Sequence, residues 1–376
     1  MLDPKKFTET LIENDITFFT GVPDSHLNGF CQYIEEQGAL GQDVIAANEG
    51  NAVGIASGYH MATGKIPLVY MQNSGLGNIM NPMASLNDKD VYDIPLILLI
   101  GWRGMPGEKD HAQHKLQGEI TPKMLEMIGI PYRVLEDDES MMKDIVKWAA
   151  DETKVNGKSA AIIVKKGVFT GDKSNVINRV YPMIREDAIK VIMENMPEDT
   201  IYIATTGRAT RELYILREEM GEDHKCDFLN VGAMGHASSI GLGISLASKG
   251  RKVVCLDGDA SAIMHMGAFV VAPKVEADNF IHVVLNNGVH ESVGGQYSAG
   301  HDIDFTTIAT GAGYETIGKP VTDADELASA LKNLSDKNKA AFIDVRISKG
   351  MRDNLGPLNA SLKECKKQLM EELNEK

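Results

Sequence analysis

The chain has 376 residues, which at about 150 residues per domain implies two or three domains and excludes a single small module. Its 38 Lys and Arg stand against 53 Asp and Glu, a net charge of −15 that excludes a surface built for polyanions and makes nucleic acid an unexpected partner. With 43% hydrophobic and 24% charged residues the composition excludes intrinsic disorder and calls for sizeable buried cores.

Taken in chain order, residues 1–6 carry no apolar run behind their positive charge and do not read as a secretory leader. Asp3 before Pro4 is a helix start, with Phe7 and Leu11 one turn apart on the same face. Strands are expected at 17–20, 44–47, 68–71, 95–100, 132–135 and 160–164, with helical patterns between them. Residues 167–182, rich in Gly, Asp, Ser and Asn and closing on Pro182, read as an exposed connection between domains. The alternation then resumes, with strands at 201–204, 228–231, 253–256, 281–285, 315–317 and 341–345. This pattern predicts two α/β domains, each a doubly wound parallel sheet covered on both faces, at 1–170 and 183–358. Residues 359–376 form a charged tail whose stretch 361–375 reads as an amphipathic helix. The longest strongly apolar run, 94–100, falls short of the roughly 20 residues of a membrane span. Cys31, Cys226, Cys255 and Cys365 show no CxxC spacing, so reduced thiols and a cytoplasmic location are expected.

The expected strand at 253–256 runs into Asp257-Gly258-Asp259-Ala260-Ser261, a turn that opens a helix. Backbone N–H groups at such a place attract anions, and an Asp there can add a cation. The next strand ends in Asn286-Asn287-Gly288, one strand–helix–strand unit later. Adjacent parallel strands would set Asp259 beside Asn286 at the carboxyl edge of the sheet, with hard oxygens suited to Mg²⁺. Alone, Asp259 reads as a helix N-cap and Asn286 as a turn residue. Together they resemble the thiamine-diphosphate-dependent enzymes, in which Gly-Asp-Gly or Gly-Asp-Ala is followed at a similar distance by Asn-Asn. The resemblance implies thiamine diphosphate and Mg²⁺ as cofactors. Asp259, the Asn286 side chain and the Gly288 carbonyl would ligate the metal, and Gly258, Ala260, Ser261, Thr206, Gly207 and Gly232 would line the cofactor.

Activation of that cofactor needs a carboxylate beside its aminopyrimidine ring. Glu49, ahead of the small-residue helix expected through Ala62-Thr63-Gly64, matches the family's catalytic glutamate, although alone it reads as an acidic residue at a helix N-terminus. Met234, in Gly232-Ala233-Met234-Gly235-His236, matches the bulky apolar residue that supports the cofactor's bent shape. By itself it would be core.

Two domains leave no room for the middle domain of most decarboxylases in this family. The chain resembles the two-domain phosphonopyruvate decarboxylases, and next the sulfopyruvate decarboxylases. The likeness is carried by Gly21-Val22-Pro23-Asp24-Ser25, Gln72-Asn73-Ser74-Gly75-Leu76-Gly77-Asn78, Gly101-Trp102-Arg103-Gly104 and Thr205-Thr206-Gly207-Arg208. Residues 101–117 read as a loop past a strand's carboxyl end, locally basic through Arg103, Lys109, His111, His114 and Lys115. That suits a small 2-oxo acid with a second anionic group. The reaction implied is decarboxylation of 3-phosphonopyruvate to phosphonoacetaldehyde. Arg103 and Lys109 are candidates for the phosphonate, Asp24, Ser25 and Asn73 for the rest of the substrate, and Ser25, His111 and His114 for proton transfer beside Glu49. The resemblance also implies at least a homodimer, with the active site between subunits. Rival readings are sulfopyruvate decarboxylation, a non-catalytic cofactor-binding regulatory subunit and a dinucleotide-dependent oxidoreductase. The last lacks its fingerprint, because neither Gly75-Leu76-Gly77 nor Gly241-Leu242-Gly243 is followed by the third glycine.

Overall fold

The computed structural model describes residues 1–36, 42–170, 180–248 and 250–374. Of the connection expected at 167–182, residues 171–179 lie outside the described residues, as does Glu375 of the expected terminal helix. The chain divides into two compact units, each built on one parallel sheet.

The first sheet holds β1 (Phe18–Gly21), β2 (Gln42–Ile45), β3 (Leu68–Gln72), β4 (Ile97–Gly101), β5 (Tyr132–Leu135) and β6 (Ala160–Val164), ordered β2-β1-β3-β4-β6-β5. Its middle strands are apolar without alternation: every residue of β4 and β6 is buried. Helices on both faces demand this. One face packs Phe7, Phe19, Phe30, Tyr70 and Phe169 together. The other packs Val53, Ala56, Val69, Met71, Leu98 and Ile100. The helix Pro4–Glu13 starts as expected, with the Asp3 carboxylate accepting the Lys5 N–H and with Phe7 and Leu11 fully buried. The helix Glu49–Thr63 is capped by the Asn48 side chain, which accepts the Asn51 N–H.

The second sheet holds β7 (Ile201–Ala204), β8 (Asp227–Leu229), β9 (Val253–Gly258), β10 (Phe280–Asn286) and β11 (Ala341–Arg346), ordered β11-β10-β9-β7-β8. Its pleat sends Ile281, Val283 and Leu285 into one core and Phe280 and Val284 into the other. The strand expected at 315–317 does not form. Glu315 and Val321 each make a single bridge to β11, because a chain turning at Gly313 and again at Gly318 passes the edge without following it. Two further differences concern the domain expectation. His290–Gln296, expected within 183–358, groups with the first unit, where Gln296 Nε2 donates to Asn28 Oδ1 at 2.8 Å. The helix Leu362–Asn374 is no separate tail but buries Cys365 and Leu369 in the second unit. All four cysteines are free and buried, and no helix among the described residues is long and apolar enough to cross a membrane.

The strand order reverses between β1 and β3 in the first sheet, which turns back once more at its β6-β5 edge, and between β7 and β9 in the second. Ligand crevices open beyond the carboxyl ends of strands at such reversals. Phe30, fully buried with ring centroids of Phe7 and Phe19 at 5.6 and 5.7 Å, is the hub of the first core. Phe30→Ala is expected to cost about 3–5 kcal/mol in denaturant unfolding of the first unit.

Candidate active site

At the carboxyl edge of the second sheet, Asp259 is the first residue of the short helix Asp259–Met264 and Asn286 is the last of β10. Both are buried, at 2% and 0% exposure. Asn286 Nδ2 donates to the Gly300 carbonyl at 2.7 Å and to Asp344 Oδ1 at 3.1 Å, whereas its Oδ1 has no hydrogen-bond partner. The Ser298 hydroxyl donates to Asp259 Oδ2. A β-carbon at Gly300 would fall on Asp259 Oδ2 and lie 2.6 Å from Asn286 Oδ1, so both oxygens converge on a spot that glycine leaves open. Burial pushes the Asp259 carboxyl up to about 6 against the Ser298 hydrogen bond. An unpartnered amide oxygen and a countercharge-poor carboxylate around one small space fit a hard divalent cation. Gly288 stands just beyond at φ +71°, where a β-carbon would meet the His301 ring, and its carbonyl accepts the Ser298 N–H at 2.9 Å.

The strand reversal lies beside this spot. Ser261 Oγ is 3.0 Å from the Oγ1 of Thr205, the residue just past β7, and accepts the Gly235 N–H at 3.0 Å. One buried hydroxyl thus ties the exits of β7 and β9 to the loop carrying Gly232 and Met234. Thr206 and Gly207 follow Thr205 directly, and Gly207 leads into the helix Arg208–Met220. Gly258 and Ala260 flank Asp259 at the end of β9. Met234 is half-buried between Ala233 and Gly235, both at positive φ. The rings of His236 and His265 meet beside it at a tilt of 58°, with centroids 4.5 Å apart and His236 Nδ1 3.1 Å from the Met234 carbonyl.

At the edge of the first sheet, Glu49 is 5% exposed and its Oε2 accepts from Asn78 Nδ2 at 2.6 Å. Gly75 passes so close that a β-carbon there would lie 2.5 Å from Glu49 Oε1. Past β1, Asp24 is fully buried, and its Oδ2 accepts the His26 N–H at 2.9 Å while Oδ1 has no partner. Burial raises its carboxyl to about 6, opposed by that N–H and by the Arg103 charge. Arg103 Nη1 donates to Ser25 Oγ at 3.1 Å, joining the loops after β1 and β4.

The basic loop differs from its expectation in length and in charge. Gly101 ends β4 and the helix Ala112–Met127 begins early, so the loop runs only from 102 to 111. It is braced against that helix: Trp102 Nε1 donates to the Gly118 carbonyl at 2.9 Å. Arg103 is neutralised by Asp110 at 2.6 Å, and burial aided by the Arg103 charge lowers His114 to about 4. Lys109 and His111 are exposed, with the His111 ring 6.4 Å from that of His114. Asn73 is a brace, its amide donating to the Arg103 carbonyl at 2.8 Å and to Thr121 Oγ1 at 2.9 Å while its carbonyl accepts the Arg103 N–H at 3.1 Å. Sequence reading missed Asn78, His26, Asp110, Ser298 and Gly300. Asn78 closes the motif Gln72-Asn73-Ser74-Gly75-Leu76-Gly77-Asn78, whereas Ser298 and Gly300 reach Asp259 only through tertiary folding.

The N-terminal TPP-binding domain of thiamine pyrophosphate enzymes matches residues 5–125, and the C-terminal TPP-binding domain matches 216–345. A phosphonopyruvate decarboxylase of Streptomyces viridochromogenes is 30% identical over 357 residues, covering 91% of this chain and 87% of that one. The chain belongs to the thiamine-pyrophosphate-dependent decarboxylase family. A sulfopyruvate decarboxylase of Methanosarcina acetivorans is 29% identical over 357 residues, covering 89% of each chain. A sulfopyruvate decarboxylase subunit beta of Methanocaldococcus jannaschii is 33% identical over 165 residues, 44% of this chain and 83% of that one. The enzyme is therefore a thiamine-diphosphate-dependent carboxy-lyase of the phosphonopyruvate and sulfopyruvate type.

Asp24 gives this decarboxylase a pH-dependent weakness. Its folded pKa of about 6 lies above the ordinary 3.8, so the folded chain holds that proton more tightly and stability falls as pH rises from about 4 through about 6. Asp24→Asn is expected to melt higher than wild type at pH 7.5, by the equivalent of about 1–3 kcal/mol, with the gap closing by pH 4 in thermal melts.

Proposed function

We propose that the enzyme decarboxylates 3-phosphonopyruvate to phosphonoacetaldehyde and carbon dioxide, with thiamine diphosphate and Mg²⁺. The observation that carries the substrate assignment is the Arg103 guanidinium fixed at the edge of the first sheet and reaching Ser25, in a chain of net charge −15. A guanidinium held there suits a 2-oxo acid with a second oxyanion. The full-length likeness to a phosphonopyruvate decarboxylase agrees.

The bound cofactor supplies an electron sink for the pair left when the bond from the carboxylate to the oxo carbon breaks. The chain's residues supply the rest. Asp259, Asn286 Oδ1 and the Gly288 carbonyl would hold the metal. Backbone at Gly258, Ala260 and Ser261, with Thr206, Gly207 and Gly232, would line the diphosphate, and Met234 would support the ring system. Glu49, buried and held by Asn78, would be the carboxylate that exchanges a proton with the bound cofactor's aminopyrimidine. Arg103 binds the phosphonate from its anchored position and Lys109 adds charge from the exposed loop. Asp24, kept protonated towards neutral pH by burial, stands with Ser25, His111 and His114 among the groups that can deliver a proton to the carbon that lost carbon dioxide. The enzyme acts in the cytoplasm, in keeping with its four free buried cysteines, and as a homo-oligomer.

Sulfopyruvate is the second reading, favoured by the near-equal likeness to the Methanosarcina enzyme. Product assays with phosphonopyruvate, sulfopyruvate and pyruvate, with and without both cofactors, separate the two. Cofactor-dependent turnover is expected with phosphonopyruvate preferred, and preference for sulfopyruvate would overturn the substrate assignment. Glu49→Gln is expected to lose at least about 100-fold in kcat while binding thiamine diphosphate normally in calorimetry. Gly300→Ala, whose methyl falls on Asp259, is expected to abolish the Mg²⁺-dependent rise in melting temperature.

A further inference from the structure

The structure places on Arg103 a partner that the reaction itself does not call for. Arg103 Nε donates to Asp110 Oδ2 at 2.8 Å and Nη2 donates to Asp110 Oδ1 at 2.6 Å. The same two oxygens accept the Gly104 N–H at 2.9 Å and the His111 N–H at 2.8 Å. Each carboxylate oxygen therefore takes one guanidinium and one main-chain donor. Burial works against the charged form, but these four hydrogen bonds hold the Asp110 carboxyl well below the usual carboxylate range. So saturated a carboxylate is neither a base nor a counterion that an incoming anion would displace.

We propose that Asp110 is a positioning residue for substrate selection: it grips one edge of the Arg103 guanidinium so that the opposite edge faces Ser25 and the substrate's second anionic group. Of the five N–H bonds of the guanidinium, two are held by Asp110 and one reaches Ser25 Oγ at 3.1 Å, which leaves N–H groups on the Nη side for an oxyanion. The main chain of Arg103 is fixed independently by Asn73 through two hydrogen bonds, of 2.8 and 3.1 Å. With the base of the side chain pinned by Asn73 and its fork by Asp110, Arg103 has little freedom left, and an anion pays little ordering entropy to bind it. Exposed Lys109 lacks such a brace. The inference rests on reading the edge of the first sheet as the substrate pocket.

The test is steady-state kinetics of wild type, Asp110→Asn, Arg103→Lys and the double variant, with phosphonopyruvate, sulfopyruvate and pyruvate. Asp110→Asn is expected to raise KM at least about 10-fold for whichever anionic substrate the wild type prefers, with kcat within about threefold and KM for pyruvate unchanged. Arg103→Lys keeps the charge but cannot be gripped as a fork, so the double variant should be no worse than Arg103→Lys alone. An unchanged KM, an equal rise with pyruvate, or additive losses would overturn the proposal. Should Asp110→Asn lose its melting transition, Arg103→Lys carries the test, and an unchanged KM for the anionic substrate there overturns it. A wild type that discriminates among none of the three acids removes the substrate reading and this inference together, whereas a discriminating wild type with an unaffected Asp110→Asn overturns the inference alone.

Discussion

A parallel sheet covered by helices on both faces leaves little room for polar side chains along its strands, because each must find its partners inside an apolar core, as His282 of β10 does with Asp257 of β9 at 3.2 Å. The chain meets that constraint twice. All of β4 and β6 in the first sheet is buried, and β10 in the second is buried over its full length. Charged and hydrogen-bonding groups are therefore concentrated where strands end: Asp24 after β1, Arg103 after β4, Thr205 after β7, Asp259 after β9 and Asn286 at the end of β10. Parallel pairing puts these ends on the same side of their sheet, so residues far apart in sequence converge without any special loop.

Convergence has an electrostatic cost. Asp24 and Asp259 are both raised to about 6 by burial, and neither is offset by an ion pair of its own. Three glycines permit this crowding. A β-carbon at Gly101 would fall on Asp24, at Gly75 on Glu49 and at Gly300 on Asp259. In each case the backbone comes close against a carboxylate, and for Asp24 and Asp259 the resulting burial stores destabilisation that a cation or a proton would relieve. Arg103 follows the opposite plan, with its charge matched by Asp110 and its direction thereby fixed.

Much of this was legible in the sequence. The strands at 132–135, 160–164 and 201–204 are where apolar periodicity puts them, because local pattern and tertiary burial agree there. The Asp259 and Asn286 pairing was readable because a strand–helix–strand unit fixes which ends become neighbours. Other features depend on contacts that no local pattern records. Residues 315–317 look like a strand but cross an edge at single bridges. The loop after β4 is shortened by a helix that begins at Ala112 despite weak start signals. Ser298 and Gly300 reach Asp259 across 39 and 41 positions of chain, and composition alone made the loop look basic when Asp110 cancels its strongest charge.

The proposed cation position is the single spot, left open by Gly300, on which Asp259 and Asn286 Oδ1 converge. Crystallography of the enzyme with thiamine diphosphate and Mn²⁺ in place of Mg²⁺, with anomalous diffraction to locate the ion, tests it most directly. One strong peak is expected at about 2.0–2.3 Å from an Asp259 oxygen and from Asn286 Oδ1. A loaded enzyme whose ion lies elsewhere, with Asn286 Oδ1 hydrogen-bonded to protein, would contradict it.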